Sequence, residues 1–242
     1  MPRRVLTERI VEQATFETAQ LVAELERFLD QRGSLLHAET SEPINQKIGN
    51  FRYGVYAFFD YDGEPIYVGQ TNEQLRVRIR RHLTNQRTDA VAMKVLDPFE
   101  VFEIEIWPLP DFEGQDMNAS IARRLNWLER AVFDRLIEQS RFKAILNEKD
   151  PPLLVDATAV IPTSVRGRIV SESVLKLRGH PDTRIARRTE TLSLLAKVIA
   201  ERRVQSGLRR TLLTQAKRLA WLAERRMNEL RGQPVSDEQA RT

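Results

Sequence analysis

The spacing of apolar positions along this chain switches between a helical and a strand period, and each switch marks an element. From about Thr7 to Gln31, Val22, Leu25 and Leu29 recur at helical spacing with Leu21 and Phe28 beside them. One amphipathic helix is predicted there, stopped by Gly33 and packed on the core or on a second subunit. Residues 34–50 show no period. Two short apolar runs then flank Asp60-Tyr61-Asp62-Gly63: Gly54-Val55-Tyr56 before it and Tyr67-Val68-Gly69 after it. Asp-Gly between such runs predicts a hairpin. With Asp62-Gly63 as a two-residue loop, Phe58 pairs with Tyr67 and Tyr56 with Gly69. Side chains alternate faces along a strand, so Tyr56 and Tyr67 become diagonal neighbours on one face.

The helical period returns in residues 72–84, where Leu75, Ile79 and Leu83 mark a buried stripe. Val101 to Trp107 alternates cleanly and predicts a third strand, with Phe102, Ile104 and Ile106 towards the core and Pro108 and Pro110 ending it. Residues 119–140 read as a helix with a stripe of Ile121, Leu125, Leu128, Val132 and Leu136. Pro151, Pro152 and Pro162 punctuate a linker over 151–165. Helices are predicted over 171–178, 182–205 and 208–230, with a break at Ser206-Gly207.

Several polar residues lie beside these stripes. Arg78 and His82 are four apart, so they stack on one helix face, about 60° from the leucine stripe at the core's edge. Arg76 and Arg80 point farther out, with Arg76 as the alternative to Arg78. In residues 119–140, Glu129 is the one acid directed at the core, whereas Arg130, Asp134 and Glu138 lie outside. An unpaired carboxylate there is costly, so a cation is expected beside it, either a metal ion or an arginine. In the last helix, Leu208, Leu212, Ala216, Leu219, Ala223, Met227 and Leu230 form an apolar stripe, opposite Arg210, Lys217, Arg218 and Arg225. Trp221 sits within that basic band. It either stacks on nucleic acid or packs against a neighbouring helix.

Composition narrows the chemistry. The chain has no cysteine, which excludes disulfides, thiolate-held zinc and a thiol nucleophile. Its three histidines, His37, His82 and His180, are too scattered for a histidine metal cluster. No apolar run reaches membrane-spanning length and the first residues carry no secretion signal, so a cytoplasmic protein with no membrane partner is expected. Charge is uneven. Residues 163–242 hold 18 Lys+Arg against 8 Asp+Glu, and residues 1–162 hold 20 against 26. A basic C-terminal part of net +10 beside an acidic remainder of −6 predicts a division of labour: chemistry in the middle, phosphate affinity at the end. The nucleic-acid contacts expected there are Arg210, Lys217, Arg218, Arg225 and Trp221.

The two tripeptides, written here GVY and YVG, with Arg78 and His82 at four-residue spacing after the second, resemble the GIY-YIG nuclease family over about residues 51–150. The resemblance implies an α+β fold: a small core of a three-stranded antiparallel sheet flanked by helices. Around it stand an N-terminal segment (1–50), a linker (151–165) and an all-helical basic extension (166–242) for nucleic-acid binding or dimerisation. It implies a catalytic set of Tyr56, Tyr67, Arg78, His82, Glu129 and Asn147, with Glu129 holding one Mg2+ (or Mn2+) per active site. It further implies a metal-dependent DNA endonuclease. A restriction or phage-defence enzyme, possible as a homodimer, is favoured by the short chain and the lack of a second nuclease-like segment. A homing or repair nuclease, or a binding module without turnover, are the alternatives.

Overall fold

The computed structural model describes residues 2–32, 44–84, 96–147, 149–153, 160–201 and 206–232. Their elements are α1 (Pro2–Leu29), β1 (Gly54–Phe59), β2 (Pro65–Thr71), α2 (Leu75–Thr84), β3 (Glu103–Pro108), α3 (Ala119–Gln139), β4 (Val165–Arg168), α4 (Glu172–Arg178), α5 (Pro181–Glu201) and α6 (Ser206–Leu230). The strands form one antiparallel sheet in the order β2-β1-β3-β4. The expected α+β core is present, with one more strand than the periodicity predicted. The predicted stop at Gly33, and residues 202–205 at the predicted end of the α5 helix, lie outside the described residues.

Apolar side chains fill both faces of the sheet. On one face Tyr56, Phe58, Ile104 and Ile106 pack with Leu25 and Phe28 of α1, Leu75 and Ile79 of α2, Leu195 of α5 and Leu208 of α6. On the other, Val55, Ala57, Phe59, Val68 and Trp107 pack on Ile121, Leu125, Leu128 and Val132 of α3. β1 is therefore buried along its whole length. α1 joins the core of its own chain. Asn118 starts α3 by accepting the backbone N–H groups of Ser120 and Ile121.

The hairpin has the expected register, Tyr56 opposite Gly69 and Phe58 opposite Tyr67, reached by a different turn. Asp60 and Glu64 close the turn through Asp60 N–H to the Glu64 carbonyl (3.0 Å), and Gly63 takes the left-handed conformation at φ 75°. That closure pairs Phe59 with Pro65, and an irregularity between Phe58 and Phe59 restores the register beyond it.

β4 corrects the boundary placed at 165/166. Residues 165–168 add to the free edge of β3, with Ile106 opposite Val165 and Glu103 opposite Arg168. The extension thus begins as a strand of the catalytic sheet and is not all helical. Phe28 packs on Gly167 where a side chain would collide, since an added Cβ would lie 2.8 Å from its ring.

A buried ion-pair cluster fastens α5 and α6 to the hairpin turn. Asp60 (1 % exposed) receives Arg188 Nη2 at 2.7 Å and pairs with Arg218. Arg188 Nε reaches Glu100 at 2.8 Å. Asp62 pairs with Arg184 and, at 3.3 Å, with Arg225. These partners turn α6 on its axis. Arg218, Gln215, Thr211 and Leu222 are buried, while Met227 and Leu230 of the predicted apolar stripe are exposed. At about 100° per residue the buried face is rotated by roughly 100° from the expected one.

Candidate active site

β2 is an edge strand, and its outer backbone groups are met in turn by side chains and backbone from elsewhere. The Ile66 carbonyl accepts Leu146 N–H at 3.1 Å. The Asn147 carboxamide then takes both peptide groups of Val68, accepting its N–H at 3.0 Å and donating to its carbonyl at 2.7 Å. Next along the edge, the Gln70 backbone hydrogen-bonds the Glu129 carboxylate of α3. An unpaired strand edge attracts further pairing, and here it is closed by the two residues expected at the site. Asn147 is accordingly a positioning residue for the strand that carries Tyr67 and Gly69.

On the sheet face towards α2, the rings converge. Tyr56 and Tyr67 have centroids 6.1 Å apart, and the His82 ring stands edge-on to Tyr67 at 4.4 Å. The Tyr56 hydroxyl lies 3.2 Å from His82 Nδ1. Gly69 makes this packing possible, because an added Cβ would lie 2.8 Å from the Tyr67 ring and 2.9 Å from the Tyr56 hydroxyl. The Arg78 guanidinium lies close enough to Tyr56 to lower its phenol's pKa. Its Nε is buried and meets no partner among the described residues. Arg76, the alternative to Arg78, is held away from the site by Glu26 of α1 and by Asp30 just after it (2.5 Å).

Burial sets the protonation states. It raises the Tyr56 phenol well above its ordinary range, helped by Tyr67 and opposed by Arg78. It raises Tyr67 as well, again against Arg78. It lowers the His82 imidazole to about 4, with Arg78 and Arg81 adding to the effect, so the ring is neutral at physiological pH. In the tautomer protonated on Nε2, neutral His82 would accept the Tyr56 hydroxyl at Nδ1. Burial also pushes the Glu129 carboxyl up to about 7, while the Gln70 backbone and Arg78 pull it down. Among the described residues no basic side chain ion-pairs with Glu129, and no group of three or more His, Asp or Glu forms a ready-made cation cage.

A cleft of about 270 Å³ opens beside these groups, lined by Gln70, Thr71, Arg78, Leu125 and Asn126 among others. Gln70 Nε2 donates to Asn126 Oδ1 at 2.7 Å across it. Sequence reasoning missed both amides. The available signals were their places, Gln70 next to Gly69 and Asn126 one turn before Glu129.

The expected nucleic-acid residues do not assemble. Arg218 is buried at 2 % exposure in the ion-pair cluster, because Asp60 supplies a buried counter-charge for it. Arg225 pairs with Asp62 and Glu229, and Arg210 with Asp150 at 2.6 Å. Trp221 packs on protein, edge-on to Phe142 with the Arg141 guanidinium 4.3 Å from its ring. Lys217 alone of the set is exposed and makes no ion pair among the described residues. A band of basic residues opposite an apolar stripe is thus, in this helix, largely a set of intramolecular contacts.

Sheet, paired phenols, arginine and imidazole define the class. Residues 52–112 match the family model of the GIY-YIG catalytic domain. Residues 52–112 therefore read as a GIY-YIG domain, a kind of domain that implies nuclease activity on nucleic acid. The matched stretch is about a quarter of the chain and includes Tyr56, Tyr67, Arg78 and His82, with Glu129 and Asn147 beyond it. No curated protein and no solved structure matches the chain. Among the described residues no helix is long and apolar enough to cross a membrane.

Proposed function

We propose that the protein is a metal-dependent DNA endonuclease of the restriction or phage-defence kind. The observation that carries this reading is the convergence of Tyr56, Tyr67, Arg78, His82 and Glu129 at the β2 edge beside an open cleft. Arg78 binds the phosphate, and its unpartnered Nε supplies a donor for a phosphoryl oxygen as charge grows in the transition state. A buried phenol does not ionise by itself at neutral pH, so Tyr56 can take a proton from an attacking water only as it gives its own away. His82 Nδ1, 3.2 Å from its hydroxyl and neutral, is the acceptor for that transfer. Tyr67 packs against His82 and orients it.

Glu129 is the residue that would hold a divalent cation. A half-buried carboxylate with no ion-pair partner among the described residues suits Mg2+, which keeps several waters and takes one or two carboxylates together with substrate phosphates. When bound there, such an ion supplies Lewis-acid polarisation of the scissile phosphate. A homodimer would set two such sites against two strands, and the exposed Leu213, Met227 and Leu230 along α6 offer apolar surface for it.

The test is nicking of supercoiled plasmid with Mg2+ by wild type and Glu129→Gln. Wild type is expected to cut, and the variant and an EDTA control to leave the plasmid intact with binding retained. Cutting by the variant at the wild-type rate removes Glu129 from the metal site.

A further inference from the structure

The cleft beside Arg78 contains a pair of side-chain amides to which neither the catalytic set nor the fold assigns a role. Gln70 projects from the strand end just past Gly69, and Asn126 lies one helical turn before Glu129, so both flank the phosphate site. Their mutual hydrogen bond uses one Gln70 amide hydrogen and the Asn126 carbonyl oxygen. What remains is complementary: the Gln70 Oε1 acceptor and the Asn126 Nδ2 donor. The bond also restrains both side chains, so the free acceptor and the free donor have less freedom left to lose on binding. The rest of the lining is mixed: Thr71, Asn72, Glu73 and Arg78 are polar, while Ala122, Leu125 and Met117, the last 41 % exposed, supply an apolar patch. At about 270 Å³ the cleft has room for a flat ring system of purine size.

We infer that this cleft is a base-reading subsite, in which Gln70 and Asn126 recognise an adenine adjoining the phosphate held by Arg78. Adenine offers an N6 amino donor and an N7 acceptor on one edge. The N6 group donates to Gln70 Oε1, and Asn126 Nδ2 donates to N7, with the base face against Leu125 and Met117. The inference rests on the nuclease reading for the phosphate beside it. It adds a specificity role that the catalytic residues do not supply.

The experiment uses the full chain and a pool of DNA duplexes with a randomised segment. One arm cleaves the pool with Mg2+ and sequences the new ends. A second arm selects bound, uncut DNA in EDTA and sequences it. Wild type is expected to enrich adenine at one position next to the cut, by about 5- to 150-fold. Asn126→Asp replaces the donor by an acceptor at nearly the same volume. It should lose adenine at that position while still cutting, and Gln70→Leu should lose it too. If wild type cuts and the three proteins yield the same base distribution at their ends, the subsite is wrong and the nuclease reading stands. If nothing is cut but the bound pool is adenine-enriched for wild type and not for Asn126→Asp, the subsite stands and the nuclease reading falls. Neither cutting nor selection by wild type removes both.

Discussion

The two ends of one hairpin hold charged residues in opposite ways. At the turn, Asp60 and Asp62 are enclosed by Arg184, Arg188, Arg218 and Arg225, so each charge has a protein partner and the cluster joins α5 and α6 to the sheet. At the open edge of β2, Glu129 has no ion-pair partner among the described residues, Arg78 Nε has no acceptor, and the phenols are held protonated beside a cleft. Both regions desolvate charge. Guanidinium Nε atoms lack a partner in both, at Arg184 and Arg218 as at Arg78, but only the second holds a carboxylate with no ion-pair partner among the described residues, and that distinguishes a site built for a ligand from one built for folding.

Substitutions at the two ends should therefore separate stability from activity. The largest effect is expected from Asp60→Ala, which leaves buried arginines without a counter-charge and should cost about 3–5 kcal/mol in urea unfolding. A loss below about 1 kcal/mol would show that the cluster relaxes into solvent. Arg78→Ala is expected to slow plasmid nicking about 10²–10³-fold, with a far smaller change in the unfolding midpoint than Asp60→Ala. Equal damage to both quantities would erase the distinction between the regions. Asn147→Ala is intermediate in kind. It uncovers both peptide groups of Val68 and should cost about 1–3 kcal/mol, lowering activity through the position of Tyr67 rather than through chemistry.

The smallest effects concern pH and have opposite signs. His82 has a folded pKa of about 4 against an ordinary 6.5. Its contribution is present above pH 6.5 and is lost as pH falls towards 4. Glu129 has a folded pKa of about 7 against 4.5. Its protonated form is accommodated below pH 4.5, and stability is lost as pH rises through 7. In metal-free buffer, His82→Gln should flatten the acid-side loss of stability. Glu129→Gln should remove the loss between pH 4.5 and 7, so the variant is more stable than wild type at neutral pH. Denaturation curves across pH 4–8 check both slopes, and parallel curves for the three proteins would contradict the protonation states assigned to the site.

Much of the site was legible in the chain because its signals are local. The hairpin register, the four-residue step from Arg78 to His82 and the place of Glu129 beside an apolar stripe each follow from the period of one element. The β4 strand was not legible. Val165 to Arg168 is short and contains one strong strand former, and it pairs only because β3 has a free edge. The facing of α6 was not legible either. Its apolar residues point to one side, yet burial of Arg218 against Asp60 overrides them, and a contact spanning 158 residues has no trace in local periodicity.

The sequence by itself determined the strands and helices of the catalytic segment and the residue types at its site, since periodicity and turn chemistry act over a few residues. Tertiary structure alone decided which charges stay available. It directed the C-terminal arginines inwards to the acidic turn, placed Asn147 on the β2 edge rather than on substrate, and brought Gln70 and Asn126 together across a cleft. Whether a charge is spent inside the protein or kept for a ligand depends on partners distant in the chain, which is why only the folded molecule can settle it.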